Sequence, residues 1–325
     1  MRKILNLTLL AFFAMMIVSV AAGCVFAQGF PTKQIRIIVP FVAGGPTDVF
    51  ARLVAQKLSE NLGQQVIVDN RGGGNAIIGT EMVAKAPPDG YTVLFNSMGP
   101  IATPSLYKTL PFDVEKDFVP ITLAVTSPNI LAAHPSFPAN TVKELIAMAK
   151  AKPGQINCAI STYGSSNHLS LELFNSMAGI KLELISYKGA APALNALLGG
   201  HVPLMFNTIG LMVPHIKAGK LKVLAVTSPK RTDIFPDVPT FSETLPGFEA
   251  ASWFAVWGPA GMKKEILTRL NSEIAKALHS PEVKNRCKDL YAEAIGNSLE
   301  EFARYERSER AKWTKVIKDI GLLLD

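Results

Sequence analysis

The sequence is short of the residues that usually make metal and redox chemistry readable. Its 325 residues include only three cysteines, Cys24, Cys158 and Cys287, and five histidines. The cysteines have no metal-type spacing, and no histidine pair has the H-x-x-x-H or H-E-x-x-H pattern. No metal or cofactor is expected. Charged residues make up only 18% of the chain, and no long block of one sign occurs. Stretches such as Glu306-Arg307-Ser308-Glu309-Arg310 alternate in sign, as a solvated helix face does. That argues against a nucleic-acid partner. Neither glycine cluster fits a P-loop or the G-x-G-x-x-G fingerprint, so a nucleotide site is not expected. No 20–50-residue repeat and no low-complexity tract occurs, which disfavours solenoids and propellers.

What is present is apolar. Hydrophobic residues are 48% of the chain, enough for a sizeable core, and the length suits two domains. Arg2 and Lys3 precede an uncharged, mostly apolar run from Ile4 to Ala22 that closes on small residues. This order predicts a secretory leader; a retained membrane anchor is the rival reading. Two cleavage sites compete. Val25-Phe26-Ala27 before Gln28 suits an ordinary signal peptidase, whereas Ala21-Ala22-Gly23-Cys24 resembles a lipobox in which Cys24 would be acylated. The mature chain is therefore expected in the periplasm, free or lipid-anchored through Cys24. It would carry a net charge of +5, because the +7 of the whole chain includes Arg2 and Lys3. A Cys158–Cys287 disulfide is possible there but not expected.

Beyond the leader, short β-branched runs alternate with amphipathic stretches. Strands are predicted at 35–39, 66–68, 91–95, 155–161, 182–186, 202–206 and 221–226. Helices are predicted at about 47–61, 76–85, 142–150, 165–177, 191–198, 211–218 and 263–278. The first helix would be capped by Thr47 or Asp48, with Val49, Leu53, Val54 and Leu58 near one face. Ser298-Leu299-Glu300-Glu301 has the form of a capping box and opens a last helix to about residue 320. Its aromatics, Phe302, Tyr305 and Trp313, read as packing. Strand–helix alternation implies α/β domains with parallel sheets. The expected division is a leader at 1–27, domain 1 at 28–125, domain 2 at 126–226, and a return to domain 1 with C-terminal helices at 227–325. The apolar segments 121–126 and 223–227 are the expected crossovers.

Two strand–helix junctions could carry chemistry. Phe41-Val42-Ala43-Gly44-Gly45-Pro46-Thr47-Asp48 offers glycines for close backbone approach and a helix N-terminus for an anion. Ser161-Thr162-Tyr163-Gly164-Ser165-Ser166-Asn167-His168 is the corresponding junction in the other half. If the two faced each other, they would form a carboxylate cage; a tight turn is the structural alternative at each. His168 lies one helical turn from Ser165 and reads as structural rather than as a general base. Asp113, Glu115 and Asp117 read as a solvated loop.

The residues also carry a family pattern. Residues 35–48, Leu62-Gly63-Gln64-Gln65-Val66, Asn70-Arg71-Gly72, Pro88-Asp89-Gly90-Tyr91-Thr92, Leu110-Pro111-Phe112-Asp113, Tyr187-Lys188-Gly189, Leu197-Leu198-Gly199-Gly200, Pro236-Asp237-Val238-Pro239-Thr240, Trp253 and Pro259-Ala260-Gly261 occur in one order. In that order they resemble the Bug-type receptors of tripartite tricarboxylate transporters. The resemblance implies a two-domain Venus-flytrap protein, type II-like, that delivers a small carboxylate to membrane transporter subunits, without catalysis; a monomer is the default expectation for a closing cleft. It implies a ligand wall of Phe41, Val42, Ala43, Gly44 and Gly45, a second wall with Thr162, Ser165 and Ser166, and sides lined by Asn96, Ser97 and Tyr187. Many members carry Asp after the strand ending Met205-Phe206, and this chain carries Asn207. A neutral amide would not pair an ammonium, so the expected ligand is a di- or tricarboxylate or an aromatic acid without an amine. An α/β hydrolase using Ser165 or Ser166 with His168, and a ligand-sensing subunit of a signalling system, are the alternatives.

Overall fold

The computed structural model describes residues 29–324. The chain divides into two compact units, residues 1–32 and 33–325. The predicted leader and Cys24 lie outside the described residues, and among the described residues the strands and helices belong to the second unit.

The unit opens with β1 (Ile35–Val39), α1 (Pro46–Leu62), β2 (Val66–Asn70), α2 (Ile77–Ala84), β3 (Thr92–Asn96) and α3 (Gly99–Leu106). A single turn, α4 (Val114–Asp117), leads into β4 (Phe118–Ala133). A second alternating series comes next: α5 (Val142–Ala151), β5 (Asn157–Ile160), α6 (Ser166–Ala178), β6 (Glu183–Ser186), α7 (Ala190–Leu198), β7 (Leu204–Thr208), α8 (Ile209–Lys217) and β8 (Lys222–Val226). The chain then returns through β9 (Ala251–Pro259), α9 (Lys264–His279), α10 (Pro281–Asp289), β10 (Glu293–Ala294) and α11 (Leu299–Asp319).

Ten strands join in the order β2-β1-β3-β9-β4-β7-β5-β6, with β8 and β10 also paired to β4. The expected parallel pairing holds where helices make the crossovers: β1 with β2 and β3, and β5 with β6 and β7. It fails in the middle. There β4 runs antiparallel to β9, β7 and β8, because the chain leaves one half and comes back along neighbouring tracks. At 16 residues β4 is about 50 Å long. Phe118–Pro128 pair with β9, and Asn129–Ala133 pair with β7 and β8. One strand thus belongs to both halves of the sheet.

Strand alternation sends its side chains to two cores. Leu131 and Ala133 join the large apolar cluster with Leu169, Phe174 and Phe206. Ile130 and Ala132 face a second cluster with Ala193, Leu197, Met205 and Met212. The second half of the sheet is therefore covered on both faces, as a parallel sheet requires. On α11 the predicted capping box forms between Ser298 and Glu301. Its Phe302 and Trp313 are buried, with Trp253 edge-on to Phe302.

Three local readings need correction. Asp113, Glu115 and Asp117 form a turn of helix rather than a loop, with the Asp113 carboxylate accepting from the amides of Glu115 and Lys116. The N-cap of α1 is Gly45, because Pro46 occupies its first turn; Thr47 and Asp48 lie inside the helix. The buried face of α1 is Phe50, Ala51, Val54, Ala55 and Leu58, while Val49 is 37% exposed.

Candidate functional site

The loop after β1 is held by its own polar groups. The Gly44 amide donates to Asp48 Oδ2 at 2.9 Å, and Arg52 Nε donates to Asp48 Oδ1 at 2.9 Å. Arg52 also reaches Asn70 Oδ1 at 2.9 Å, and Asn70 Nδ2 donates to the Phe41 carbonyl at 3.1 Å. Gly44 takes φ +88°, which a side chain would strain. Burial works to raise the Asp48 carboxyl, but the Arg52 and Gly44 hydrogen bonds outweigh it and hold the group below the usual carboxylate range. Asp48 therefore stays ionised and neutralised by Arg52.

Across from it, Ser165 caps α6. Its hydroxyl donates to the Thr162 carbonyl at 2.6 Å and also to Asn167 Oδ1. Asn167 Oδ1 further accepts from the Ser161 amide at 3.3 Å. Ser166 Oγ donates to Ser252 Oγ of β9 at 2.9 Å, tying the second half to the return strand. The Gly189 and Thr208 turns start α7 and α8. The loops touch: a Cβ on Gly45 would lie 3.5 Å from the Ala190 Cβ, and one on Gly189 only 2.8 Å from Val42 Cγ2.

These junctions enclose a cavity of about 30 Å³. Its walls are Phe41, Gly45, Pro46, Thr47, Asp48, Ser97, Ser161, Ser165, Ser166, Asn167, Ala190, Asn207, Thr208, Ser252 and Phe254. The N-terminal ends of α1, α6, α7 and α8 all reach it. First-turn amides have no partner inside a helix, and each helix start is a positive dipole end. Among the described residues no lysine or arginine lines the cavity. Its electrostatics favour an anion held by amides and hydroxyls. The volume takes about two water-sized groups, the size of a carboxylate's two oxygens.

Asn207 supplies the most pointed feature. It is 2% exposed, and its Oδ1 accepts from the Thr208 amide at 2.7 Å. That contact fixes the amide orientation. Nδ2 is left buried with no hydrogen-bond partner. A buried unpartnered donor is costly and calls for an acceptor.

Of the residues expected at the site, the cavity brings together Phe41, Gly45, Ser97, Ser165, Ser166 and Asn207. It does not bring in Val42, Ala43, Gly44, Asn96, Thr162 or Tyr187. Val42, Ala43 and Gly44 are exposed on the outer turn of the loop. Asn96 spends its side chain on the Ser97 amide at 2.7 Å and Thr80 Oγ1 at 3.5 Å. Thr162 Oγ1 instead donates to Asn75 Oδ1 at 3.1 Å, a bond between the two halves of the sheet. Tyr187 packs against the second apolar cluster. Besides Pro46, Thr47 and Asp48 of the first junction, the cavity takes in six residues not expected in its walls: Ser161, Asn167, Ala190, Thr208, Ser252 and Phe254. The first two stand in the second junction, Ala190 follows the Tyr187-Lys188-Gly189 motif and Thr208 follows Asn207; Ser252 and Phe254 have no local signal.

No nucleophile–base pair forms at this site. His168 Nδ1 accepts from the Gly164 amide at 3.0 Å, and Ser165 Oγ is turned to Thr162 and Asn167. Burial pushes the His168 imidazole down to about 3, so it is neutral. Cys158 and Cys287 are free and buried, and burial lifts their thiols to about 12 and about 11. A wider groove of about 850 Å³ lies between α11 and the start of β4. Its charges are of both signs and partly cancel, as in Arg310 with Glu306 at 2.7 Å. Size alone does not make it the anion site.

A profile of the "Tripartite tricarboxylate transporter family receptor" matches residues 50–322. The chain belongs to this receptor family. Protein BugT of Bordetella pertussis is 37% identical over 306 residues, covering 93% of this chain and 94% of BugT. The R. palustris protein Rpa4515, solved with adipate, superposes with a TM-score of 0.86 at 38% identity, covering 91% of this chain and all of that one. MatC from Rhodopseudomonas palustris, solved with bound malate, gives 0.85 at 31% identity, over 89% of this chain and 100% of that one. The periplasmic binding protein BugD gives 0.85 at 36% identity over 91% of this chain and 100% of that one. The fold is thus the two-domain α/β fold of periplasmic solute-binding proteins, and the family is one of receptors rather than enzymes. Among the described residues no helix is long and apolar enough to cross a membrane.

Proposed function

We propose that this receptor closes on a small carboxylate that carries no amine and presents it to membrane transporter subunits. The observation that carries the reading is the buried, unpartnered Asn207 Nδ2 in a cavity ringed by helix N-termini and free of lysine and arginine. A carboxylate oxygen satisfies that donor; an ammonium would meet a second donor. Adipate and malate, the ligands of the two R. palustris relatives, are carboxylates without amines.

The two halves of the sheet are the two lobes of this proposal. We keep the expected division at 28–125, 126–226 and 227–325 as part of the proposal; the change of pairing along β4 falls between Pro128 and Asn129, three residues beyond the first boundary. Binding favours the closed state because the ligand touches both lobes at once. Export of a monomeric receptor to the periplasm, either free after residue 27 or anchored through Cys24, belongs to the same proposal. The mass of the N-terminal peptide of secreted protein distinguishes the two forms.

The test is a thermal-shift panel on protein refolded to strip carried-over ligand. A ligand at 100 times its Kd adds about 2.7 kcal/mol, which raises the melting temperature by about 5 °C at this size. A shift with an amine-free acid is expected. Shifts confined to amino acids would overturn the reading of Asn207, and no shift with any acid would overturn carboxylate binding.

A further inference from the structure

A second chamber, larger than the polar cavity, borders it. It measures about 70 Å³ and shares Pro46 and Thr208 with the polar cavity as common walls. Its other walls are Val49 and Phe50 of α1, Ser127 of β4, Gly210 and Leu211 of α8, and Leu290. Among the described residues no charged side chain lines it. It is closed from one side by Gly210, where a Cβ would lie 2.3 Å from the Leu290 carbonyl oxygen. The position of Val49 on α1 gains a reason here. It is 37% exposed and turned away from the core, yet it stays apolar and borders this space.

The geometry points to an apolar subsite: we propose that the chamber takes the tail of the ligand, and that the ligand is a short aliphatic carboxylate with an uncharged tail. The inference rests on the carboxylate reading of the polar cavity. That cavity has room for the carboxylate and little more, so the rest of the ligand must lie elsewhere. Pro46 and Thr208 border both spaces, and the proposal places the tail beyond them in the apolar chamber. A cavity of about 150 Å³ holds a benzene ring; one of 70 Å³ takes three or four carbons and excludes a ring. A second carboxylate in the chamber would find only the Ser127 and Thr208 hydroxyls among Pro46, Val49, Phe50, Leu211 and Leu290, too few partners for a desolvated charge, which is unfavourable. The chain would thus differ from its adipate-bound relative at the far end of the ligand.

The experiment is calorimetric titration of the stripped, refolded protein with the linear acids from acetate to hexanoate, and with succinate and glutarate as length-matched diacids. Affinity should rise about fourfold per added methylene up to butyrate or valerate and then fall. Butyrate should bind at least tenfold tighter than succinate. Val49→Phe, at an exposed position, fills the chamber and should bring the butyrate-to-acetate ratio close to one; its melting temperature checks that it is folded. Acids that bind with no dependence on tail length, succinate at least as tight as butyrate, or an unchanged ratio in Val49→Phe would each overturn the chamber alone. Failure of every acid, acetate included, would overturn the carboxylate reading and this inference with it.

Discussion

Replacing Asn207 with aspartate changes one atom of the site and should reverse its charge preference. The Thr208 amide, at 2.7 Å, would hold one carboxylate oxygen where Oδ1 now sits. The other oxygen would take the place of the unpartnered Nδ2. A bound carboxylate would then face a second carboxylate instead of a donor. Two such charges about 4 Å apart at an effective dielectric of about 20 repel by roughly 4 kcal/mol. The aspartate can escape by taking a proton, but from an ordinary value near 3.9 that costs about 4 kcal/mol at pH 7. Either route weakens binding by about a thousandfold. Asn207→Ala loses only a hydrogen bond to a charged group, about 1.5–3 kcal/mol, or ten- to a hundredfold. The order expected from calorimetry of the stripped protein is wild type, then Asn207→Ala, then Asn207→Asp. Lowering the pH from 7 to 5 should restore the aspartate variant by about tenfold per unit, since each unit makes its protonation about 1.4 kcal/mol cheaper. An aspartate variant as tight as the alanine variant toward an amine-free acid, or one without pH recovery, would refute the reasoning.

Other consequences come from the same structure. His168 is neutral in the fold, with its imidazole pushed down to about 3 from an ordinary 6.5. The unfolded chain therefore binds a proton that the folded chain refuses between those values, so stability is full above pH 6.5 and falls as the pH drops toward 3. The slope is about 1.4 kcal/mol per unit; urea unfolding at pH 7 and pH 4.5 should show it, and His168→Gln should flatten it. Asp48 acts in the same direction at lower pH: its stabilisation is present above 3.8 and is lost as the pH falls through its depressed folded value. Thr162→Val breaks the 3.1 Å bond to Asn75 between the two halves. It should cost about 1 kcal/mol of closed state, read as a roughly fivefold faster ligand release. Cys158 and Cys287, both buried as thiols, should escape iodoacetamide in native protein and be labelled after unfolding, as peptide mass spectrometry would show.

Most of the alternation of strands and helices is legible in the sequence because each strand is a short β-branched run and each helix has a repeating apolar face. Less legible was anything settled by contacts far along the chain. The segment 121–126 reads as an isolated apolar strand, whereas β4 runs through it from Phe118 to Ala133 because β9, β7 and β8 all pair along it. The antiparallel centre of the sheet results from that route, which no local pattern encodes. At the site, the two glycine- and serine-bearing junctions could be found from sequence, since strand–helix turns have a characteristic composition. Ser252 could not, because its role arises from a hydroxyl 86 positions away. Thr162 looked like a ligand group, yet its hydroxyl is taken by Asn75, whose loop reaches over with positive φ at Asn75 and Ala76. Asn207 itself was visible; the idle donor on its amide was not, because that depends on the Thr208 amide fixing its orientation.

The lack of a basic side chain in the polar cavity is itself a functional argument. An arginine facing a buried carboxylate would bind it strongly, but both charges must be desolvated each time the lobes close. Amides at helix starts are different, because their orientation is set when the chain folds and their dipoles need no counter-charge. Asp48, the one ionised side chain in the wall, is already paired to Arg52, which lies outside it. The site therefore offers an anion a field without a mobile cation, and discrimination falls to the uncharged groups. On the proposed reading, Asn207 refuses an ammonium at one end of the ligand. On the same reading, the chamber bounded by Val49 and Leu211 disfavours a second charge at the other. A receptor built this way gains selectivity from what it cannot pair, and it can still let the ligand go when the lobes part.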